Sequence, residues 1–255
     1  MPAEPHSAVR PNSPVATAMA VLRCFDADRP VLGVVEIADI VGLHKSTVSR
    51  ILVTLEREEL VEQDPVSKKY RLSLGLLRVA GSLLAHLDVR RVALPVLTEA
   101  AAESGESASL ILWDHDAPVV VEQVPSSHTI KHATDLGTRY GTVESSSARV
   151  FLREMDERRR AECLSLMGSS TEHLLSASRA DHPDYTVNNG LTVPDEVGVS
   201  APVHDHRQQL IAAVLLAAPR YRVDADRLAE MGRVCTQAAS RITSRIGGTD
   251  PRITE

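Results

Sequence analysis

Residues 15–72 constrain the fold most. Val15, Met19, Leu22 and Phe25 recur at i, i+4, i+7 and i+10, one face of a helix. Val35 to Val41 suits a second, short helix with Ile37 and Ala38 inward, and Gly42 supplies a turn. A third helix begins near Lys45, since Val48, Ile51, Leu52 and Leu55 stand at i, i+3, i+4 and i+7. Two extended runs follow, Leu60–Gln63 and Lys69–Leu72, joined through Asp64-Pro65-Val66-Ser67-Lys68, a composition suited to a hairpin tip. Helix, short helix, glycine turn, helix and hairpin is the order of a winged helix-turn-helix.

In such a module the third helix enters the major groove, with its early residues nearest the base edges. Here these are His44, Lys45, Ser46 and Thr47, then Ser49 and Arg50, with Ser46 the expected N-cap. Lys68, Lys69 and Arg71, with Tyr70 among them, lie where a wing meets backbone phosphates. Residues 1–72 carry 9 Lys and Arg against 10 Asp and Glu, so the module is not basic as a whole. The signal is segregation: cations at 44–50 and 68–71, acids at 56–64. Gly42-Leu43-His44-Lys45-Ser46-Thr47 imitates the end of a phosphate-binding loop. The first glycine of that motif is missing, and His44 replaces the one before Lys45.

The whole chain has 255 residues, a formal charge of -6 and a sequence pI of about 5.9, against a broadly basic nucleic-acid coat protein. Aromatic residues make up 3%, too few for a stacking surface on single strands. No run approaches the ~20 apolar residues of a membrane span, and the first residues lack a signal-peptide core. Cys24, Cys163 and Cys235 are scattered and odd in number, which suits a reducing cytoplasm.

Beyond residue 73 the pattern changes. Leu76, Ala80, Leu83, Leu84 and Leu87 form one apolar stripe, and Ala93, Val96, Leu97, Ala100 and Ala101 another. Strands are expected at 107–113 and 119–124, with a third at 129–133. Helices are expected at about 145–154 and 156–166, an irregular polar stretch at 168–189, strands near 197–203 and 209–217, and a last helix carrying Met231, Cys235 and Ile242. Adjoining strands among helices indicate an α+β domain with an antiparallel sheet. The expected layout is a disordered lead at 1–14, a winged helix-turn-helix DNA-binding domain at 15–73 and a linker helix at 74–89. An α+β domain at 90–247 and a tail at 248–255 complete it.

Ser145, Ser146 and Ser147 precede an apolar helix, and hydroxyls with free amides at a helix start favour an anion, although capping alone would also explain them. Trp113 ends a strand, where it either walls a pocket or caps the core. Enzymatic patterns are incomplete. Gly105-Glu106-Ser107-Ala108-Ser109 lacks the closing glycine of a nucleophile elbow, and His204-Asp205-His206 has no metal-ligating partner nearby in sequence. No catalytic residue, metal site or cofactor is expected.

The chain resembles bacterial transcriptional regulators of the IclR family along roughly residues 15–247. The resemblance is carried by Ile37-Ala38 leading to Gly42 through Arg50, by Lys69-Tyr70-Arg71-Leu72 with Gly75, by Leu136-Gly137, and by Ala201-Pro202-Val203. It implies a C-terminal GAF-like α/β effector domain, double-stranded operator DNA as partner, and a homodimer or tetramer. It also implies a pocket lined by Ser145, Ser146, Ser147 and Ala148, with Asp195, Glu196 and Ser200 on the opposite wall. Gly141 stands at the family's proline position, Ser146-Ser147-Ala148-Arg149 replaces Ala-x-Gly-Lys, the stretch between Gly190 and Pro202 is short, and a family cysteine is missing. The expected function is a cytoplasmic, ligand-responsive transcriptional regulator with no membrane association. It would be a repressor of a catabolic operon released by a small organic acid, a carboxylate, aromatic acids included. The alternative is a small-molecule-binding or hydrolytic enzyme with an appended winged-helix interaction module.

Overall fold

The computed structural model describes residues 13–26, 28–86 and 88–247, without the side chains of 81–88. The chain divides into two compact units, 1–86 and 87–255. The expected tail and all but the last two residues of the expected lead lie outside the described residues. Those two are ordered: Ser13 Oγ accepts from the Ala16 amide at 3.1 Å, and Pro14 opens helix α1 (Pro14–Leu22). Proline suits this position because its missing N–H would have no helical partner.

In the first unit α2 (Val34–Val41) ends on Gly42, whose φ of 67° is the left-handed conformation that closes helices. Helix α3 (Lys45–Arg57) follows, then β1 (Val61–Gln63) and β2 (Tyr70–Leu72), paired antiparallel with Val61 opposite Leu72. The hairpin turns on Asp64, whose Oδ1 accepts from the amides of Val66 and Ser67, leaving Lys68 at φ 59°. Val21, Ile37, Val48, Leu52, Val61 and Tyr70 form the core. Full burial of each such aliphatic side chain contributes ~1.5–3 kcal/mol. Helix α4 (Gly75–His86) begins where a side chain at Gly75 would collide with the Glu59 carbonyl. Leu76 and Ala80 of the expected stripe are half-buried, and Leu83, Leu84 and Leu87 lie outside the described side chains.

The second unit opens with α5 (Asp88–Ser104), β3 (Ser107–Asp114) and β4 (Ala117–Val124). Next come α6 (Ser146–Glu154), α7 (Glu157–Leu166), α8 (Thr171–Ala177) and β5 (Thr186–Asn189). Strands β6 (Glu196–His204) and β7 (Leu210–Pro219) and helix α9 (Ala225–Arg245) complete it. The sheet is antiparallel throughout, in the order β4-β3-β7-β6-β5. One face packs on α5 and α9 through Leu97, Leu110, Val214, Met231 and Ile242. The other receives α6 through Ile111, Phe151 and Leu215.

Two expectations fail here. Residues 129–133 form no strand; Ser107 Oγ instead donates to the His132 carbonyl at 2.5 Å and Arg222 to the Ile130 carbonyl at 2.9 Å. The stretch 168–189 is not irregular, since it holds α8 and β5. Its polar residues conceal both elements because β5 carries Thr186 and Asn188 inward, each at most 3% exposed.

Candidate nucleic-acid interface and effector site

Helix α3 turns Val48 and Leu52 inward, so its opposite side is left to polar residues. Lys45, Ser46 and Arg50 are exposed, and Thr47 and Ser49 are half-buried. The cap is His44 rather than Ser46: His44 Nδ1 accepts from the Ser46 amide at 3.3 Å and lies 2.8 Å from its hydroxyl. Arg50 leans back on the Ser46 carbonyl at 3.3 Å.

On the hairpin, Lys68, Lys69 and Arg71 are exposed. Tyr70 is not a surface residue: it is 4% exposed, packs in the core, and its main chain pairs with Leu32 in both directions at 2.8 and 2.9 Å. Alternation along the strand explains this, because neighbours of an inward residue point outward. Lys69 Nζ lies 3.2 Å from Glu36 of α2, and Arg71 pairs with Glu62 across the hairpin. Glu36 also accepts from the Gly33 amide at 2.6 Å, and these bonds hold its carboxyl below the ordinary range. The acids at 56–64 thus serve partly as partners for the wing. Among the described residues Lys45 and Lys68 make no ion pair, which leaves them available to phosphates.

In the second unit, α6 delivers its first residues onto β6. Ser146 Oγ and Ser147 Oγ lie 3.0 and 3.1 Å from Ser200 Oγ, and Thr186 Oγ1 donates to the Ser146 carbonyl at 2.7 Å. All four residues are at most 3% exposed. Ser145 caps the helix, accepting from the Ala148 amide at 3.4 Å. The first amides of a helix have no main-chain partner within it, and Ser145 takes that of Ala148.

Glu196, at the head of β6, is 7% exposed. Its Oε2 meets His132 Nδ1 at 3.2 Å, and His132 Nε2 lies 2.6 Å from Thr134 Oγ1, which in turn lies 3.1 Å from the Tyr140 hydroxyl. Burial pushes the Glu196 carboxyl up to about 7, the Tyr140 phenol up to about 12, and His132 below its ordinary value. Gly198 lies between Glu196 and Ser146: a Cβ there would stand 3.3 Å from Ser146 Oγ and 3.7 Å from Glu196 Oε1. The absent side chain brings a carboxyl and a hydroxyl to one notch.

Not every expected residue reaches this cluster. Ala148 points into an apolar group with Val143, Leu152 and Cys163. Asp195 is exposed beyond the strand end. Trp113 packs on Phe151, ring centroids 5.4 Å apart, four residues along β3 from Ser109, and its indole donates to the His115 carbonyl at 3.0 Å. Conversely, sequence reasoning misses His132, in a stretch expected as a strand, Thr186, in one expected as irregular, and Thr134 and Tyr140, where no element is expected. Arg149, at the position of the family's lysine, is fully buried. It forms a double hydrogen bond to Asp181 at 3.0 and 3.1 Å and donates to the carbonyls of Val143 and Glu144 at 2.8 Å. It thereby fixes the turn that opens α6.

Ser109 and His204, from the patterns with catalytic or metal-binding overtones, have structural partners. Ser109 accepts from Gln123 at 3.1 Å, and His204 Nε2 lies 2.9 Å from Glu154.

Residues 14–65 match the model of the IclR helix-turn-helix domain, and residues 81–244 match that of the bacterial transcriptional regulator IclR C-terminal domain. The HTH-type transcriptional regulator KipR of Bacillus subtilis is 30% identical over 254 residues, covering 93% of this chain and 98% of that one. The transcriptional repressor IclR of Escherichia coli is 24% identical over 226 residues, 84% of this chain and 82% of that one. Among solved structures, an IclR homologue from Microbacterium hydrocarbonoxydans in complex with 4-hydroxybenzoate shares the fold. Its TM-score is 0.74 at 22% identity, over 92% of this chain and 99% of that chain. With both units matched in order and the second match alone spanning more than half its length, the chain belongs to the IclR family of DNA-binding transcriptional regulators.

Proposed function

We propose that this regulator represses a catabolic operon and leaves its operator when a small organic acid binds the second unit. The observation that carries the effector reading is the buried meeting of Ser146, Ser147 and Ser200 at the opening of α6. Among the described residues these hydroxyls bond only to one another, and an entering carboxylate would take them over together with the first amides of the helix. The apolar side chains Leu215 and Ile111 on the same sheet face would hold the ligand body. The 4-hydroxybenzoate bound by an IclR homologue and the repressor name of the Escherichia coli relative support this reading.

On the DNA side, Lys45, Thr47, Ser49 and Arg50 would meet the major groove, and Lys68, Lys69 and Arg71 the phosphates. One winged helix covers one half-site, so the working species is a homodimer or a tetramer. It acts in the cytoplasm on double-stranded DNA and needs no cofactor. Among the described residues no helix is long and apolar enough to cross a membrane.

The test is calorimetric titration of carboxylates against their neutral amides, on the parent and on Ser146→Ala/Ser147→Ala, with DNA retardation in parallel. Acids that bind the parent more tightly than the amides, more weakly to the double variant, and that release DNA support the reading. Equal affinity for acid and amide with no effect of the double substitution would show that the helix start is only a cap.

A further inference from the structure

The wall facing the serine cluster carries an acid, which is an unexpected neighbour for an anion. Glu196 is nearly enclosed and, among the described residues, has no lysine or arginine against it. Arg220, next to its strand partner Pro219, spends its guanidinium on the Pro194 carbonyl at 3.5 Å, and Arg149 on α6 is committed to Asp181. The titratable groups that face Glu196 are His132 at 3.2 Å and Tyr140, both from the segment that covers the sheet between β4 and α6. From α6 it meets Ser146 across Gly198. The two carboxyl oxygens therefore have separate surroundings: Oε2 lies on the His132 ring, and Oε1 lies toward the notch at the head of α6.

An ionised Glu196 and an anionic effector at this notch would repel each other in a medium that screens charge poorly. One proton between them turns that repulsion into a short hydrogen bond. We propose that Glu196 is the group that sets the charge specificity of the effector site: it stands as a carboxylic acid, steadied by His132, and donates its proton to the effector carboxylate, so that each acid is bound together with one proton from solution. This deepens the effector reading above and rests on it. The upward displacement of Glu196 to about 7, with His132 displaced downward, agrees with a neutral pair rather than an ion pair. The consequence is a linkage: above about pH 7 the free site must first take up a proton, and the fall in acid affinity steepens toward about tenfold per pH unit.

The experiment is calorimetry with benzoate, 4-hydroxybenzoate, acetate and succinate at pH 6, 7 and 8, each in phosphate and in Tris, whose ionisation heats differ. Heat that depends on the buffer counts protons. At pH 8 nearly one proton per bound acid is expected, falling toward none at pH 6, with affinity falling about fivefold between pH 7 and 8. Glu196→Gln should bind the same acid with neither proton uptake nor that slope. A carbon-13 titration of the ligand-free parent should place the Glu196 carboxyl near 7. Binding without proton uptake, or a Glu196 that titrates near 4.5 beside a protonated His132, overturns the proposal and leaves the effector reading standing. Failure of every acid to bind overturns the effector reading and the linkage with it.

Discussion

Lys45, Ser46 and Arg50 stand exposed on α3 of the first unit, whereas Ser146, Ser147 and Ser200 of the second are each at most 3% exposed. The ion pairs beside the two sites differ in the same way. Lys69 with Glu36 and Arg71 with Glu62 are about half exposed, while Arg149 and Asp181 are shut away completely. A surface that meets a polyanion must keep its charges in water until contact, and its own ion pairs then contribute little to stability. A site that encloses a small molecule has already removed its polar groups from water, so each needs a fixed partner. Substitutions should therefore separate the two functions: changes in the first unit should alter DNA binding and spare the fold, and changes in the second should alter the fold and its pH response.

The largest effect is expected from Arg149→Met. It takes the enclosed guanidinium from Asp181, which keeps only Arg153 at 3.1 Å among the described residues, and strands the carbonyls of Val143 and Glu144, so it should cost about 3–5 kcal/mol of stability. Urea unfolding measures this, and a loss below about 1 kcal/mol would mean that the buried pair does not organise the opening of α6.

Glu196→Gln should come next, and with opposite sign. Burial raises the native carboxyl to about 7 from an ordinary 4.5, so the native state keeps a proton that the unfolded chain releases. The parent therefore loses stability as pH rises from about 4.5 to about 7 and is level above that. Gln has no proton to lose, so the variant's advantage should grow across that window to at most about 3 kcal/mol. Urea midpoints at pH 5, 6, 7 and 8 give the curve; a constant difference between the two proteins would contradict it.

How much of this was legible in the sequence follows the same division. The winged-helix order, the polar start of α3 and the cations of the wing come from local periodicity and charge, which a linear reading captures. Its errors there are local too: Ser46 in place of His44 as the cap, and Tyr70 on the surface when strand alternation turns it inward. In the second unit the strands of the sheet were mostly legible because their apolar runs are long. The site was not, because its bonds join residues far apart in the chain: Ser146 to Ser200 spans 54 positions and Thr186 to Ser146 spans 40. Only the family resemblance linked the serines to Glu196 and Ser200, and it had no matching pattern for His132. Arg149 looked like a departure from a motif; its burial against Asp181 depends on β5, a strand hidden by its polar residues.

Arg50→Ala should weaken operator binding by ~1–3 kcal/mol if Arg50 meets a base edge, with stability changed by no more than about 0.5 kcal/mol. Fluorescence anisotropy with a selected genomic fragment, beside a urea curve, separates the two. The smallest effect is expected from Lys69→Ala. It should weaken binding evenly across sequences and reduce the slope of log affinity against log salt by about 1. A change that depended on sequence would move Lys69 from the phosphates to the bases.

The most direct test of the central claim, that an acid bound in the second unit governs DNA binding by the first, is a single anisotropy titration. The protein is held on its selected DNA fragment at pH 6.5, and each carboxylate and its neutral amide are added in turn. Nearly complete release requires the acid to favour the DNA-free state by ~10⁴-fold. The account predicts release by at least one acid and not by its amide, with the response lost in Ser146→Ala/Ser147→Ala while that variant still binds DNA. Equal release by acid and amide, or an undiminished response in the double variant, would contradict it.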